Sequence, residues 1–409
     1  MKKFNFFSRF ALAGMMMLAA MPTISAQSTP DTTAYTFVLP SLRLTPDARF
    51  SGLCNVGIAM PSDANSMHFN PSNLALSEQK FNIGLSYSPN LESADQFFNY
   101  FSLFGKLGEK TALGGSLRFT ALGTIDSAVQ NQATNTFESH LNRELALNIV
   151  LARRIGKNLS VGAGVKYIHS NLGSLRDSTG RVFLHPANVL AIDLSATFRK
   201  RFKLMVEDDA SFQAGLSLSN IGTKVNYTPT NTNGQLMPAN AGLGLSFTYA
   251  ITKDHSISLA SDFNKLMVPS IVDPSSPEYD ANTNGVPDYL EQSVPEALLA
   301  SFTDSPDGVP GELKELIYSV GIEYMFKKRY SFRFGHQGKD ILANLDNRLA
   351  AGLGARFSFF LVNLSFAREI NPTQNNGNLG TANLSILLDL SNLGRKADEP
   401  SSPPVINPK

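Results

Sequence analysis

From residue 80 to near residue 390 the chain repeatedly sets one apolar side chain beside one small or polar one. A period of two marks a β-strand whose two faces meet different surroundings. Phe81, Ile83, Leu85 and Tyr87 alternate with Lys80, Asn82, Gly84 and Ser86, and Val161, Ala163, Val165 and Tyr167 with Ser160, Gly162, Gly164 and Lys166. The same dyad recurs in residues 97–107, 113–120, 144–155, 190–199, 212–218, 241–249, 257–263, 316–326, 330–334, 349–359, 362–366 and 384–390. About fourteen strands follow, near the ~9 to 11 residues that a tilted strand needs to cross a bilayer.

The polar positions decide what kind of sheet this is. In a soluble sandwich they face water and are rich in Lys and Glu. Here they are mostly Gly, Ser, Asn and Thr, with scattered charges such as Arg118, Lys166, Asp193, Arg199, Asp262, Glu323, Arg333, Arg348, Arg356 and Asp389. That pattern suits a crowded barrel interior in which opposite charges pair, with the apolar face turned to lipid. The connections alternate in length as a membrane barrel requires. Short ones at 108–110, 156–158, 252–254 and 327–329 read as periplasmic turns, and longer ones near 123–140, 172–187, 227–239, 268–313, 336–347 and 371–382 as surface loops. The fold predicted is all-β: an antiparallel transmembrane barrel over 80–393, its long extracellular loop at 268–313 and both termini periplasmic.

Composition narrows the class further. Only 17% of the 409 residues are charged, 28 are Phe, none is Trp, and the formal net charge is +1. Globular domains carry about 25% charge. No basic field exists for nucleic acid, and one cysteine allows neither an internal disulfide nor a cysteine cage for zinc. Mean hydropathy of −0.08 is too low for a bundle of membrane helices.

Residues 1–26 read as a secretory signal: Lys2, Lys3 and Arg9 precede an apolar stretch from Phe10 to Met21 that is too short to span a bilayer. Residues 27–79 are neither strand-like nor disordered in composition and are expected to fold inside the barrel as a hatch. Residues 394–409, rich in proline, read as a periplasmic tail.

Catalytic signatures are absent: the chain has no Gly-x-Ser-x-Gly elbow, paired metal-ligand His motif or phosphate loop. His169-Ser170 and His255-Ser256 are adjacent on strands, so their side chains point to opposite faces and make no dyad. The chain is expected not to be an enzyme. One segment carries cation chemistry. Asp280, Asn282, Asn284, Val286 (through its carbonyl), Asp288 and Glu291 occupy loop positions 1, 3, 5, 7, 9 and 12 of a calcium loop, with Gly285 at the sharp turn. Ca2+ bound there would stiffen the longest loop.

A second block lies before the first strand: Pro46-Asp47-Ala48-Arg49, then Asp63-Ala64-Asn65-Ser66, then Asn70-Pro71-Ser72-Asn73-Leu74-Ala75. The Asn-Pro-x-x-Leu-Ala ending resembles FadL-like barrels. The fuller pattern resembles the PorV (LptO) family, the outer-membrane barrel of the Bacteroidetes type IX secretion system. The chain departs from that family at Leu53-Cys54 and His68-Phe69. The resemblance implies a non-enzymatic carrier in the cell outer membrane. It would take secreted proteins bearing a C-terminal signal domain from the translocon to the surface sortase and attachment complex, amid outer-membrane lipid. The FadL-like ending alone implies instead a passive transporter of hydrophobic small molecules.

Overall fold

The computed structural model describes residues 37–392, apart from 92, 94, 132–135, 174–183, 206–207, 229–233, 271–274, 277–278, 306–307, 341–344 and 371–379. The expected signal (1–26) and tail (394–409) lie outside the described residues. Among those residues fourteen strands form one closed barrel in which each pairs antiparallel with its sequence neighbours and β1 pairs with β14. They are β1 Phe81–Pro89, β2 Gln96–Lys106, β3 Thr111–Asn131, β4 Thr136–Ile155, β5 Leu159–Asn171, β6 Ala187–Met205 and β7 Asp208–Gly222. β8 Asn240–Ala250, β9 His255–Leu266, β10 Ile317–Phe326, β11 Tyr330–Asp340, β12 Leu345–Phe357, β13 Phe360–Glu369 and β14 Thr381–Asp389 complete the wall. Closure removes the exposed sheet edges that an open sheet would offer to other chains.

The alternation in the sequence becomes a two-sided wall. Leu147, Ile149, Val165, Leu190, Leu216, Leu353 and Leu364 point outward and are exposed, whereas Ser102, Ser160, Thr197, Asp262, Ser319, Asn363 and Ser385 point inward and are fully buried. An apolar exterior around a polar interior suits a barrel whose outer solvent is hydrocarbon.

Two expected loops prove to be mostly strand. β3 runs to Asn131 and β4 starts at Thr136, so the 123–140 stretch is a paired ribbon with register shifts at Ala121/Gly123 and Asp126/Gln130. The 336–347 stretch likewise belongs largely to β11 and β12, which pair out to Asp340 and Leu345. Beyond the lipid layer nothing demands an apolar outward face, so the alternation fades while backbone pairing continues. β7 carries a bulge at Ser219 and Asn220 opposite Asp193 of β6, whose carboxylate accepts the backbone N–H of Asn220 at 2.9 Å and pairs with Lys166 at 3.1 Å. Asn220 has φ of 58°, a region that Asn tolerates better than most residues.

Residues 37–79 form no strand. They fold into short helical turns at Pro40–Arg43, Ala48–Ser51, Ala64–His68 and Asn73–Leu76. The connection from β9 to β10, 267–316, carries helices at Asp288–Glu291, Val294–Ala300 and Val309–Lys314. It is therefore largely structured.

Candidate functional site

The N-terminal segment touches inward-facing residues all round the wall. Ala64 N–H donates to Asn82 of β1 at 2.9 Å, Ser102 of β2 donates to Asn65 at 2.6 Å, and Asn70 donates to Thr197 of β6 at 2.8 Å. Asp262 of β9 accepts the backbone N–H groups of Gly57 and Ile58 at 2.7 and 2.9 Å. The carbonyl of Ala59 accepts from Gln213 of β7 and Ser246 of β8, and Ser51 accepts from Asn383 of β14 at 2.8 Å. A segment bonded to strands on opposite sides of a closed barrel occupies its lumen.

Local chemistry shapes that plug before the wall holds it. Asp47 caps the Ala48–Ser51 turn by accepting Phe50 N–H at 3.0 Å, and Asp63 with Ser66 forms a capping box for Ala64–His68. Asp47 stays within the plug, accepting also from Asn65 at 2.6 Å. Burial, aided by nearby Asp63, pushes its carboxyl above the usual carboxylate range. Arg49 does reach the wall. Its guanidinium forks onto both oxygens of Glu323 at 3.2 and 3.1 Å and also binds Asp63 at 2.7 Å. Arg333 completes the group by donating to Glu323 at 2.7 Å and to Asn363 at 3.0 Å. Planar, bidentate pairing of this kind is what fixes a guanidinium in one orientation.

Glycines mark where plug backbone meets wall backbone. A Cβ at Gly162 would lie 2.5 Å from Ser72 N, and one at Gly335 would lie 2.3 Å from the Leu53 carbonyl carbon. Small residues on the inner face were read in the sequence as filling a crowded lumen; here they admit the plug's main chain.

The β9–β10 connection is anchored differently. At its base the buried Lys265 ammonium binds Glu312 at 2.7 Å and Glu315, and Ser270 donates to Asp304 and Glu315. Ala297 and Val294 pack with Leu236 and Val268 and with Phe37 at the start of the plug. A capping box of Ser293 and Glu296 starts the Val294–Ala300 helix, and those hydrogen bonds hold the Glu296 carboxyl below its ordinary range. Its far side remains apolar and bare: Leu299, Val309 and Leu313 are 74%, 73% and 63% exposed, and Phe302 is also exposed.

Within this connection the expected cation loop is an ordered turn. Asp280 accepts N–H from Asn284 at 3.0 Å and Gly285 at 2.8 Å, and Gly285 takes φ of 83°. Glu291 accepts both Asn282 and Asn284 side-chain amides at 2.7 Å. Rotating those amides would turn their carbonyl oxygens inward, so the donor set fits a hard cation in kind. The carboxylates themselves are not drawn to one point; among the described residues the gathered acids are Asp304, Glu312 and Glu315. As for the His-Ser neighbours, His169 bonds Asn188 while Ser170 bonds Glu144 and Tyr227, so the two side chains serve different surroundings.

A family model for "Type IX secretion system protein PorV" matches residues 26–273, which covers the plug and β1–β9. The chain belongs to the PorV family. It is an outer-membrane barrel component of type IX secretion, and the match stops short of the 280–291 turn. No curated protein matches in sequence. Among solved structures the PorV-family chain is similar to a CymD monoaromatic hydrocarbon channel, at 13% identity and a TM-score of 0.45 over 84% of this chain and 97% of that one. It is also similar to the Pseudomonas putida toluene transporter TodX (12%, 0.46, 84% and 96%) and to a Pseudomonas aeruginosa FadL homologue (10%, 0.43, 87% and 100%).

Proposed function

We propose that this PorV-family barrel is a non-enzymatic carrier. It receives secreted proteins with a C-terminal signal domain from the type IX translocon and presents them to the sortase and attachment complex at the cell surface. The observation that carries this reading is family membership. The plugged lumen supports it: a barrel bonded to its plug on all sides works through its rim and loops rather than through its bore. The docking surface is the 267–316 connection, with Leu299, Phe302, Val309 and Leu313 as apolar contacts, on the extracellular side opposite the short turns. Exposed apolar groups of this density, set on short helices and rimmed by polar residues, suit a protein partner.

Affinity capture of the tagged barrel from native outer membranes tests it. Secreted proteins sharing a C-terminal domain are expected in the eluate, and their absence from it counts against the carrier.

We also propose that Asp280, Asn282, Asn284, Val286, Asp288 and Glu291 take up Ca2+ and pre-order this connection, lowering the entropic cost of meeting a partner. Asp280→Ala with Glu291→Ala is expected to leave the barrel heat-modifiable while weakening cargo retention, with chelation reproducing the loss only in wild type. Calorimetry that detects no Ca2+ uptake by the purified barrel would overturn the metal assignment.

A further inference from the structure

At the short-turn end of the barrel, between the exit of the plug and the wall, lies a cavity of about 360 Å³. Seven basic side chains line it against four carboxylates, and the four are already engaged. Asp63 and Glu323 bind Arg49 and Arg333, Glu78 binds Arg201, and Asp389 binds Arg356 at 3.6 Å. Arg199, Lys328 and Arg329 form no ion pair of their own among the described residues, although Glu78, bound to Arg201, also attracts Arg199. Arg329 rests on the rings of Tyr330 and Phe357.

The wall beside Arg199 makes the imbalance sharper. Arg199 and Arg201 are two apart on β6, and Arg154 of β4 lies two strands away on the inner face, each close enough to repel Arg199. Arg154 Nε is buried with no acceptor among the described residues. Cations held together in a partly enclosed space raise one another's energy unless an anion sits among them, and guanidinium forks match oxyanions best. Leu76, Met325, Leu361 and Leu387 add apolar patches to the lining.

We propose that this cavity binds a phosphate-type oxyanion, with Arg199 as the principal ligand, Arg201 beside it, Lys328 with Arg329 at the rim, and Arg154, outside the lining, adding positive charge from β4. The cluster holds several charges in excess, which suits a phosphate dianion or phosphomonoester better than a single carboxylate. The phosphate can be free or the headgroup of a lipid whose chains meet the apolar lining. This assignment stands apart from the carrier reading, because it concerns the other end of the barrel and needs no cargo.

The test uses the purified full-length barrel in a neutral detergent, titrated by calorimetry with inorganic phosphate, dihexanoyl phosphatidic acid and, as a carboxylate control, hexanoate. Saturable binding of a phosphate probe is expected, at least tenfold tighter than hexanoate. Arg199→Gln is expected to weaken it at least tenfold, Arg199→Lys to retain part of it, and Arg143→Gln at the opposite end of β4 to leave it unchanged. Heat-modifiable mobility of each variant verifies folding. Phosphatidic acid binding at least tenfold tighter than inorganic phosphate identifies a lipid headgroup, and equal affinities identify free phosphate. Absence of saturable phosphate binding, affinity no better than for hexanoate, or full affinity in a folded Arg199→Gln protein overturns the proposal.

Discussion

The plug and the β9–β10 connection are both long, strandless stretches, yet they treat their side chains in opposite ways. In the plug Phe50, Leu53, Val56, Met60, Met67 and Leu74 are almost wholly buried, and many of its polar groups bond the wall. In the connection, Leu299, Val309 and Leu313 stand in solvent although Lys265, Glu312 and Glu315 at its base are as tightly tied as anything in the lumen. The plug has committed its surface internally. The connection is held at its root and along one side, leaving an apolar surface for something outside the chain.

Substitutions sharpen this contrast, beginning where the largest loss of stability is expected. Arg49→Met strands Asp63 and leaves Glu323 with Arg333 alone, a broken buried pair of the kind that costs about 3–5 kcal/mol. Chemical denaturation of the purified barrel reads that cost, and a loss below 1 kcal/mol would mean that the plug is not held through this group. Next come arginines on the wall. Leu245→Arg places a charge in lipid for ~2–4 kcal/mol at midplane. Ser246→Arg is expected to be at least as harmful, since Ser246 is 4% exposed and bonded to the carbonyl of Ala59. A clearly milder effect at Ser246 would point to a wet, loosely filled lumen.

Smaller still is Gly162→Val, which drives a side chain against plug main chain and is expected to cost about 1–3 kcal/mol by overpacking. Faster proteolysis within 37–79 in the folded barrel would register the displaced plug. Least destabilising is the pair Leu299→Asp with Leu313→Asp. Being exposed, these are expected to shift stability by no more than about 0.5 kcal/mol, yet to cut cargo retention in affinity capture severalfold. Undiminished retention would remove this surface from the carrier reading.

The strand number and the facing of each strand were legible because lipid on one side and a packed lumen on the other impose a strict period of two. Strand length was less so: the outer parts of β3, β4, β11 and β12 leave the lipid layer, and backbone pairing there needs no apolar alternation. Arg49 could be marked as a lumen contact from its charge, but Glu323 as its partner could not, because 274 residues separate them and only barrel closure brings them together. Glycine at 162 and 335 read as generic smallness, since close approach of another backbone leaves no mark in a local sequence window. The surplus of cations at the turn end was likewise hidden, being assembled from β4, β6 and the β10–β11 turn.

The place of the plug in the chain constrains biogenesis. It precedes β1, while the seam that shuts the barrel joins β1 to β14 and pairs Asn82 with Asp389, with Ser391 accepting the N–H groups of Lys80 and Phe81 beside it. Clearances at Gly162 and Gly335 are narrower than a methyl group, so a finished cylinder offers no route for threading the plug in afterwards. The last hairpin must therefore wrap around a core that is already seated, and whichever machinery delivers this chain to the membrane must hold the seam open until its first-made residues have found their places.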